Sequence, residues 1–488
     1  MLHNPLAGSL KLNDAAWLLA DHYRTPMQVG VLATFTVPED QPDFVAELVR
    51  SWREVRTFES PYDLRLRMAP VPHWVKVPAE RIDLDYHLRH SALPSPGTQR
   101  ELGVLISRLH STPLDRRYPL WECTVIEGLE ENRWSLYLKA HHSQIDGVGG
   151  VRLMRRILSV DPDQRDMLPP WAIGTHGRDQ SGQEQHERPR SRSLEKARPR
   201  QSVLGGVRAL AGTSTEVGGA LVRTYAESLT GWASKERAVP FRAPRTLFNG
   251  RIQAPRRFAT QTYEMDRLKA VAERTDSSLN DVFLALVGGA VRSYLEEHDA
   301  LPHDPLIANV PVSVRPEDGR VQVGNAISFL YASLGTDVAD PVERIAAVHA
   351  STARGKERLP DVGAGAMDLY TAALMAPFLA QAVLVGGVAN PACNIVVSNV
   401  PGARETRYFN GSRLDEMYPI SLLFHGQALN ITAVSYDGTF NIGFTGCRDS
   451  VPSLQRIAVR TGEELEAMEA ALGLDRTHDG PAAEASAG

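Results

Sequence analysis

The chain has 488 residues, 43% hydrophobic and 23% charged, with a formal net charge of −5 and a pI near 6.3. That length exceeds what one hydrophobic core usually serves, so two subdomains are expected, and the mild acidity excludes a global attraction to nucleic acid. Cys123, Cys393 and Cys447 stand apart without a C-x-x-C spacing, which argues against a zinc site or a disulfide framework and fits the cytoplasm. The opening MLHNPLAGSLKLNDAAW has no basic region leading into an apolar core, so no secretion signal is expected.

In chain order, VGVLATFTV (29–37) is β-branched and apolar and predicts a strand, and FVAELVRSW (44–52) has helical spacing. RWSLYLKA (133–140) alternates like a half-buried strand and runs into HHSQIDGVGG. A helix carrying Val151, Met154, Ile157 and Leu158 follows, and residues 1–162 form a first subdomain. From 163 to 202 the chain is rich in Pro, Arg, Gln and Ser and reads as a flexible linker. Its cations Arg188, Arg190, Arg192, Lys196, Arg198 and Arg200 read first as a solvated run, and second as a contact for anionic lipid or a phosphorylated ligand.

Residues 203–474 form the second subdomain. SSLNDVFLALVGGAVRSYLEEH predicts a helix capped by Ser278, and 306–314, 325–334 and 394–402 predict strands. LNITAVSYDGTFNIGFTG predicts a hairpin turning at Asp437–Gly438. No charge occurs from Leu369 to Ala403, but Pro377, Gln381 and Gly386–Gly387 break that stretch. It therefore reads as a buried helix, or as a wall for a long apolar ligand, before a membrane span. Residues 475–488 read as a disordered tail. Strands and helices alternate in both halves, so the fold class is α/β.

The chemistry concentrates in H-H-x-x-x-D-G at His141, His142, Asp146 and Gly147. No G-x-S-x-G, H-E-x-x-H or G-x-x-x-x-G-K-[ST] occurs, which disfavours the commonest serine hydrolase, zinc protease and nucleotide-triphosphatase chemistries. Adjacent residues on an extended strand point to opposite faces, so the two histidines suit one base with a supporting neighbour better than metal chelation. Imidazole titrates near neutrality and can take a proton from a hydroxyl and return it to a leaving group. Asp146 stands where it would cap the next helix or anchor the loop through an arginine. A lone histidine is usually structural, but residue frequencies give the full pattern in only about one chain in a thousand of this length.

These residues resemble the bacterial wax ester synthase/diacylglycerol acyltransferases of the CoA-dependent acyltransferase superfamily. The resemblance spans nearly the whole chain: LDYHLRHSALPSPG, STPLDRRYPLWECTVIEGL with Pro119–Leu120–Trp121, KAHHSQIDGVGG, Asn280–Asp281, VPVSVR, GNAISF, SNVPG and LNITAVSYDG. It implies two chloramphenicol-acetyltransferase-like subdomains with mixed sheets and a central substrate tunnel. It also implies direct transfer of a fatty acyl group from acyl-CoA to diacylglycerol or a long-chain alcohol, with no cofactor or metal. By the same match His142 is the general base, His141, Asp146 and Gly147 support it, and Asn280 contacts substrate or oxyanion. Arg315 becomes a candidate partner for Asp146. P-L-W and S-N-V-P-G read as packing and turn geometry. Gln28, where relatives commonly carry histidine, and Asn13 depart from the pattern and are expected to touch acyl or alcohol selectivity. Lipid substrates imply a peripheral contact with a membrane or lipid droplet surface. The alternatives are a condensation-type or polyketide-associated acyltransferase fed by a carrier protein, and a non-catalytic lipid-binding protein, which would have no need of His142.

Overall fold

The computed structural model describes residues 17–69, 71–175, 238, 240–313, 327–357 and 391–474. Asn13, the linker cations at 188–200, Arg315, residues 369–390 and the tail from 475 lie outside them.

The run predicted at 29–37 is β1 (Gln28–Thr36), and the helical spacing after it is α1 (Phe44–Glu54), which buries Phe44, Val45, Leu48, Val49 and Trp52. A small hairpin, β2 (Leu64–Arg67) and β3 (His73–Lys76), precedes β4 (Leu88–Ala92). Helix α2 (Gln99–Ser111) starts at a Thr98–Glu101 capping box. Then β5 (Trp121–Leu129) and β6 (Arg133–His141) pair antiparallel, and α3 (Gly147–Ile157) leaves the end of β6.

In the second half, β7 (Arg256–Glu264) leads to α4 (Met265–Arg274) and α5 (Leu279–Glu296). The Ser278 hydroxyl accepts the Asp281 N–H while the Asp281 carboxylate accepts the Ser278 N–H, the box that starts α5. Strands β8 (Ile307–Ser313) and β9 (Ile327–Ser333), helix α6 (Pro341–Glu357) and strand β10 (Ile395–Val400) follow. The chain closes with β11 (Tyr408–Phe409), β12 (Ser412–Ile420), β13 (Leu429–Tyr436), β14 (Thr439–Cys447) and α7 (Gln455–Ala471). Asp437 and Gly438 both take positive φ between β13 and β14, the two-residue turn their sequence predicts.

Two mixed sheets result, ordered β11-β12-β1-β6-β5-β4 and β7-β14-β13-β10-β8-β9. One boundary differs from the sequence reading. The first unit does not stop at 162: Pro170 opens a helical turn, and Met167, Trp171, Ala172 and Ile173 are buried in the first core. Trp171 packs edge-on to Trp52, centroids 5.5 Å apart, so a segment polar on average is fastened by a few large apolar residues. The second unit is not self-contained. Its β12 pairs antiparallel with β1 in the first sheet, from Gly30↔Ile420 to Thr36↔Arg413.

Strand β12 is also where the sheets abut. A Cβ on Gly443 of β14 would lie 2.0 Å from the Pro419 carbonyl oxygen, so only glycine permits this approach. Tyr418 Oη meets Thr262 Oγ1 of β7 at 2.7 Å. The outer edge of β7 is covered by α2, whose Ser107 and Ser111 hydroxyls accept the Phe258 and Arg256 N–H groups. Among the described residues no helix is long and apolar enough to cross a membrane.

Candidate active site

Strand β6 lies between β1 and β5, and both neighbours hold its end. The His141 N–H donates to the Leu120 carbonyl at 3.0 Å, and the His142 N–H to the Met27 carbonyl at 2.8 Å. Gln144 and Ile145 then donate to the His141 carbonyl, closing a tight turn. Asp146 ends that turn with extended dihedrals, and its Oδ1 accepts the Gly149 N–H at 2.6 Å. It is the N-cap of α3, where its charge also complements the helix dipole. Gly147 is the first residue of α3, and a Cβ there would sit 3.8 Å from Val400 of β10. Arg155 of α3 donates to the Gly402 carbonyl. The motif turn therefore stands where the two halves of the chain meet, against the S-N-V-P-G segment.

The two histidines have different partners. His141 is buried, and its Nδ1 accepts the Ser143 N–H at 3.2 Å and meets the Ser143 hydroxyl at 2.7 Å. That leaves the proton on Nε2, which lies 3.7 Å from Asp21 Oδ2. Asp21 accepts the Met27 N–H on Oδ1 and two Arg116 N–H groups on Oδ2, at 2.8 and 3.2 Å. Burial works to raise the Asp21 carboxyl, but His141, Met27 and Arg116 outweigh it and hold the group below its usual range.

The ring of His142 stacks on Trp17, with centroids 4.6 Å apart and planes 13° from parallel. Its Nδ1 is buried without a well-formed hydrogen bond, which leaves Nε2 to face a reactant. Burial lowers its proton affinity, and neighbouring His141 adds to that; its own carbonyl and the Asp146 charge oppose the shift without cancelling it. The net shift is downward, so His142 is neutral at pH 7. A neutral imidazole is what a base requires.

Trp121 is packing. It is buried, donates Nε1–H to the Tyr62 carbonyl at 2.9 Å and carries the His87 ring stacked at 4.1 Å. The preceding Leu120 supplies the carbonyl that ties His141, so P-L-W also positions the motif through its backbone. Gln28 is buried in β1 opposite His141, where it donates to the His110 and Thr112 carbonyls and accepts the Leu114 N–H. Its amide fastens the 110–114 turn. Asn280 stands half-buried in the first turn of α5, and no hydrogen bond among the described residues joins it to the motif turn. Its neighbour Asp281 is occupied by Ser278, His349 and Thr352. Among the described residues no cluster of His, Cys, Asp and Glu has metal-binding geometry.

Trp17, Asp21, Arg116 and Ser143 were not anticipated. Trp17 and Asp21 are four residues apart, a helical spacing, but nothing local tells that their partners lie at the end of β6.

Two families describe the chain: the wax ester synthase/diacylglycerol acyltransferase catalytic domain matches residues 10–283, and the WS/DGAT C-terminal domain matches residues 323–469. A Mycobacterium tuberculosis protein whose name proposes diacylglycerol O-acyltransferase activity is 42% identical over 94% of this chain and 97% of its own. The O-acyltransferase WSD of Acinetobacter baylyi is 35% identical over 94% of this chain and 96% of its own. Among solved structures, the wax ester synthase/diacylglycerol acyltransferase of Marinobacter aquaeolei VT8 superposes with a TM-score of 0.73 at 31% identity, covering 96% of this chain and all of that one. The first condensation domain of the calcium-dependent antibiotic synthetase, at 16% identity and a TM-score of 0.57 over 96% of both chains, shares the fold.

Proposed function

The chain belongs to the wax ester synthase/diacylglycerol acyltransferase family, and from that premise we propose that it moves a fatty acyl group from acyl-CoA to the hydroxyl of diacylglycerol or a long-chain alcohol, with His142 as general base. The observation that carries the role of His142 is its setting: a neutral, partly desolvated imidazole held by backbone bonds at the end of β6, with one ring nitrogen left for substrate. His142 Nε2 takes the proton from the acceptor hydroxyl as its oxygen attacks the thioester carbonyl. Collapse of the tetrahedral intermediate breaks the C–S bond, and the protonated ring returns its proton to the CoA thiolate. No covalent enzyme intermediate and no cofactor enters this scheme, and acyl-CoA is a substrate.

Ser143 holds His141 in one tautomer, with the Asp21 carboxylate 3.7 Å from the other ring nitrogen. Asp146 and Gly147 start α3 and fix how His142 leaves the strand. Asn280 is assigned to substrate or oxyanion contact through its match to the family's Asn–Asp pair. The apolar acceptors support a peripheral contact with the membrane or lipid droplet that holds them, by an enzyme of the cytoplasm.

The test offers free palmitoyl-CoA with diacylglycerol, hexadecanol or glycerol and identifies the lipid products, with the same acyl group on a carrier protein as a parallel donor. Triacylglycerol or wax ester from the free thioester, reduced about 10²–10⁴-fold in a folded His142→Ala variant, is expected. Turnover only from the loaded carrier, or near-normal thiol release by His142→Ala, would overturn the reading.

A further inference from the structure

The segment that precedes β1 reaches both histidines of the motif. Residues 17–20 form a helical turn, and Trp17 and Asp21 project from it four residues apart, Trp17 onto His142 and Asp21 onto His141. The turn has supports of its own. Leu18 is buried with Leu66, Trp74, Leu114 and Leu120, and Arg116 Nη2 donates to the Leu18 and Asp21 carbonyls, both at 3.2 Å. Trp17 packs against the buried cluster that includes Met27, the residue whose carbonyl holds the His142 backbone. The indole is thus laid against the His142 ring by contacts that do not depend on that ring.

We propose that Trp17 is a positioning residue that stabilises the imidazolium His142 becomes when it takes the acceptor's proton. The face of an indole carries negative potential, and a cation stacked on it in a desolvated site gains more than a neutral ring does. His142 is neutral before the reaction, charged in the tetrahedral intermediate and neutral again after the thiolate leaves. The stack therefore strengthens when charge develops, which is the condition for an interaction to speed a step. The geometry suits this role, since near-parallel planes with centroids 4.6 Å apart lay the imidazole on the indole face in an offset stack. Burial alone makes the imidazolium costly here, so a charge-dependent contact has something to oppose.

Other charges face the same ring. His141 disfavours the imidazolium and Asp146 favours it. Asp21, on the Trp17 turn, and Arg116, from the loop before β5, act on His141 and on each other. None of these changes when Trp17 is replaced by leucine, which keeps an apolar cover but has no π face. Trp17→Phe keeps a weaker one.

The proposal rests on His142 being the base, and the experiment separates the two. In the full-length protein the His142 ring is titrated by NMR, assigned with His142→Gln, and the pH dependence of kcat/KM is measured beside it. Trp17→Leu should lower the ring's titration midpoint by about one pH unit, move the acid limb of the rate profile equally and reduce kcat about tenfold. Trp17→Phe should fall between the two. An unmoved or raised midpoint in Trp17→Leu, even with a lower melting temperature, would overturn the proposal, because the indole would then only exclude water or fill space. A lowered midpoint with an unmoved rate profile would leave the stack standing and remove His142 as the base.

Discussion

Replacing Trp121 by phenylalanine separates packing from chemistry at the P-L-W segment. The indole N–H is the donor to the Tyr62 carbonyl, and its loss in a buried site costs about 1–2 kcal/mol. The smaller ring leaves a void of roughly 40 Å³, worth about 1 kcal/mol at ~24 cal/mol per Å³, and a further ~1 kcal/mol of transfer energy goes with the missing atoms. Contacts with His87 at 4.1 Å and Trp171 at 5.7 Å loosen in the same direction. A destabilisation of about 3–4 kcal/mol is expected, read as a lower urea midpoint by far-UV circular dichroism. Because His141 is held by the Leu120 carbonyl rather than by the indole, turnover of the folded variant should stay within about threefold of the parent. An unchanged midpoint with turnover down a hundredfold or more would refute this, since Trp121 would then be acting on substrate.

The acid limb of kcat/KM should lie below 6.5, the ordinary histidine value, because burial lowers His142 and the enzyme loses its base only when that ring protonates; a limb above 6.5 contradicts the site's electrostatics. Asp146→Ala should cost about 1 kcal/mol more stability than Asp146→Asn, since asparagine still accepts the Gly149 N–H, and equal melting temperatures would remove the cap from the account. Asp146→Asn should also move the acid limb further down, because the charge that favours the imidazolium is gone. His87 and His110, pushed down to about 4 and about 3 chiefly by burial, stay neutral in the fold while their unfolded counterparts protonate below 6.5. The unfolded chain then binds more protons, so stability should fall with pH from about 6.5 to the folded values, by up to ~1.4 kcal/mol per unit for each histidine. His110→Gln should flatten that slope in a melting series, and an unchanged slope would count against it.

What the sequence makes legible is local. The strand periods at 29–37 and 133–140, the Ser278 cap, the Asp437–Gly438 turn and the capping role of Asp146 are set by neighbours in the chain, and each stands where its residues place it. What the sequence hides is non-local. The structural role of Gln28 is hidden, since its amide serves three backbone groups more than eighty residues away. Trp171 lies in a segment whose average composition is that of a linker, and averages do not show that one indole fills a gap beside Trp52. Trp17 and Asp21 carry no local mark of their histidine partners.

Strand β12 explains why the site follows the same division. As part of the second half it pairs with β1, and β1 pairs on its other side with β6. The start of β1 holds the site from two directions: Met27 binds the His142 backbone, and Gln28 fastens the turn that leads to Arg116. Arg116 in turn fixes Asp21, and with it the turn that carries Trp17. Without β12, β1 would be an edge strand with unpaired backbone groups and Val29 and Val31 at its margin. The chemistry is therefore written in seven consecutive residues, but their geometry depends on a strand from near the end of the chain. That is why a motif alone can name the base and still leave its surroundings unread.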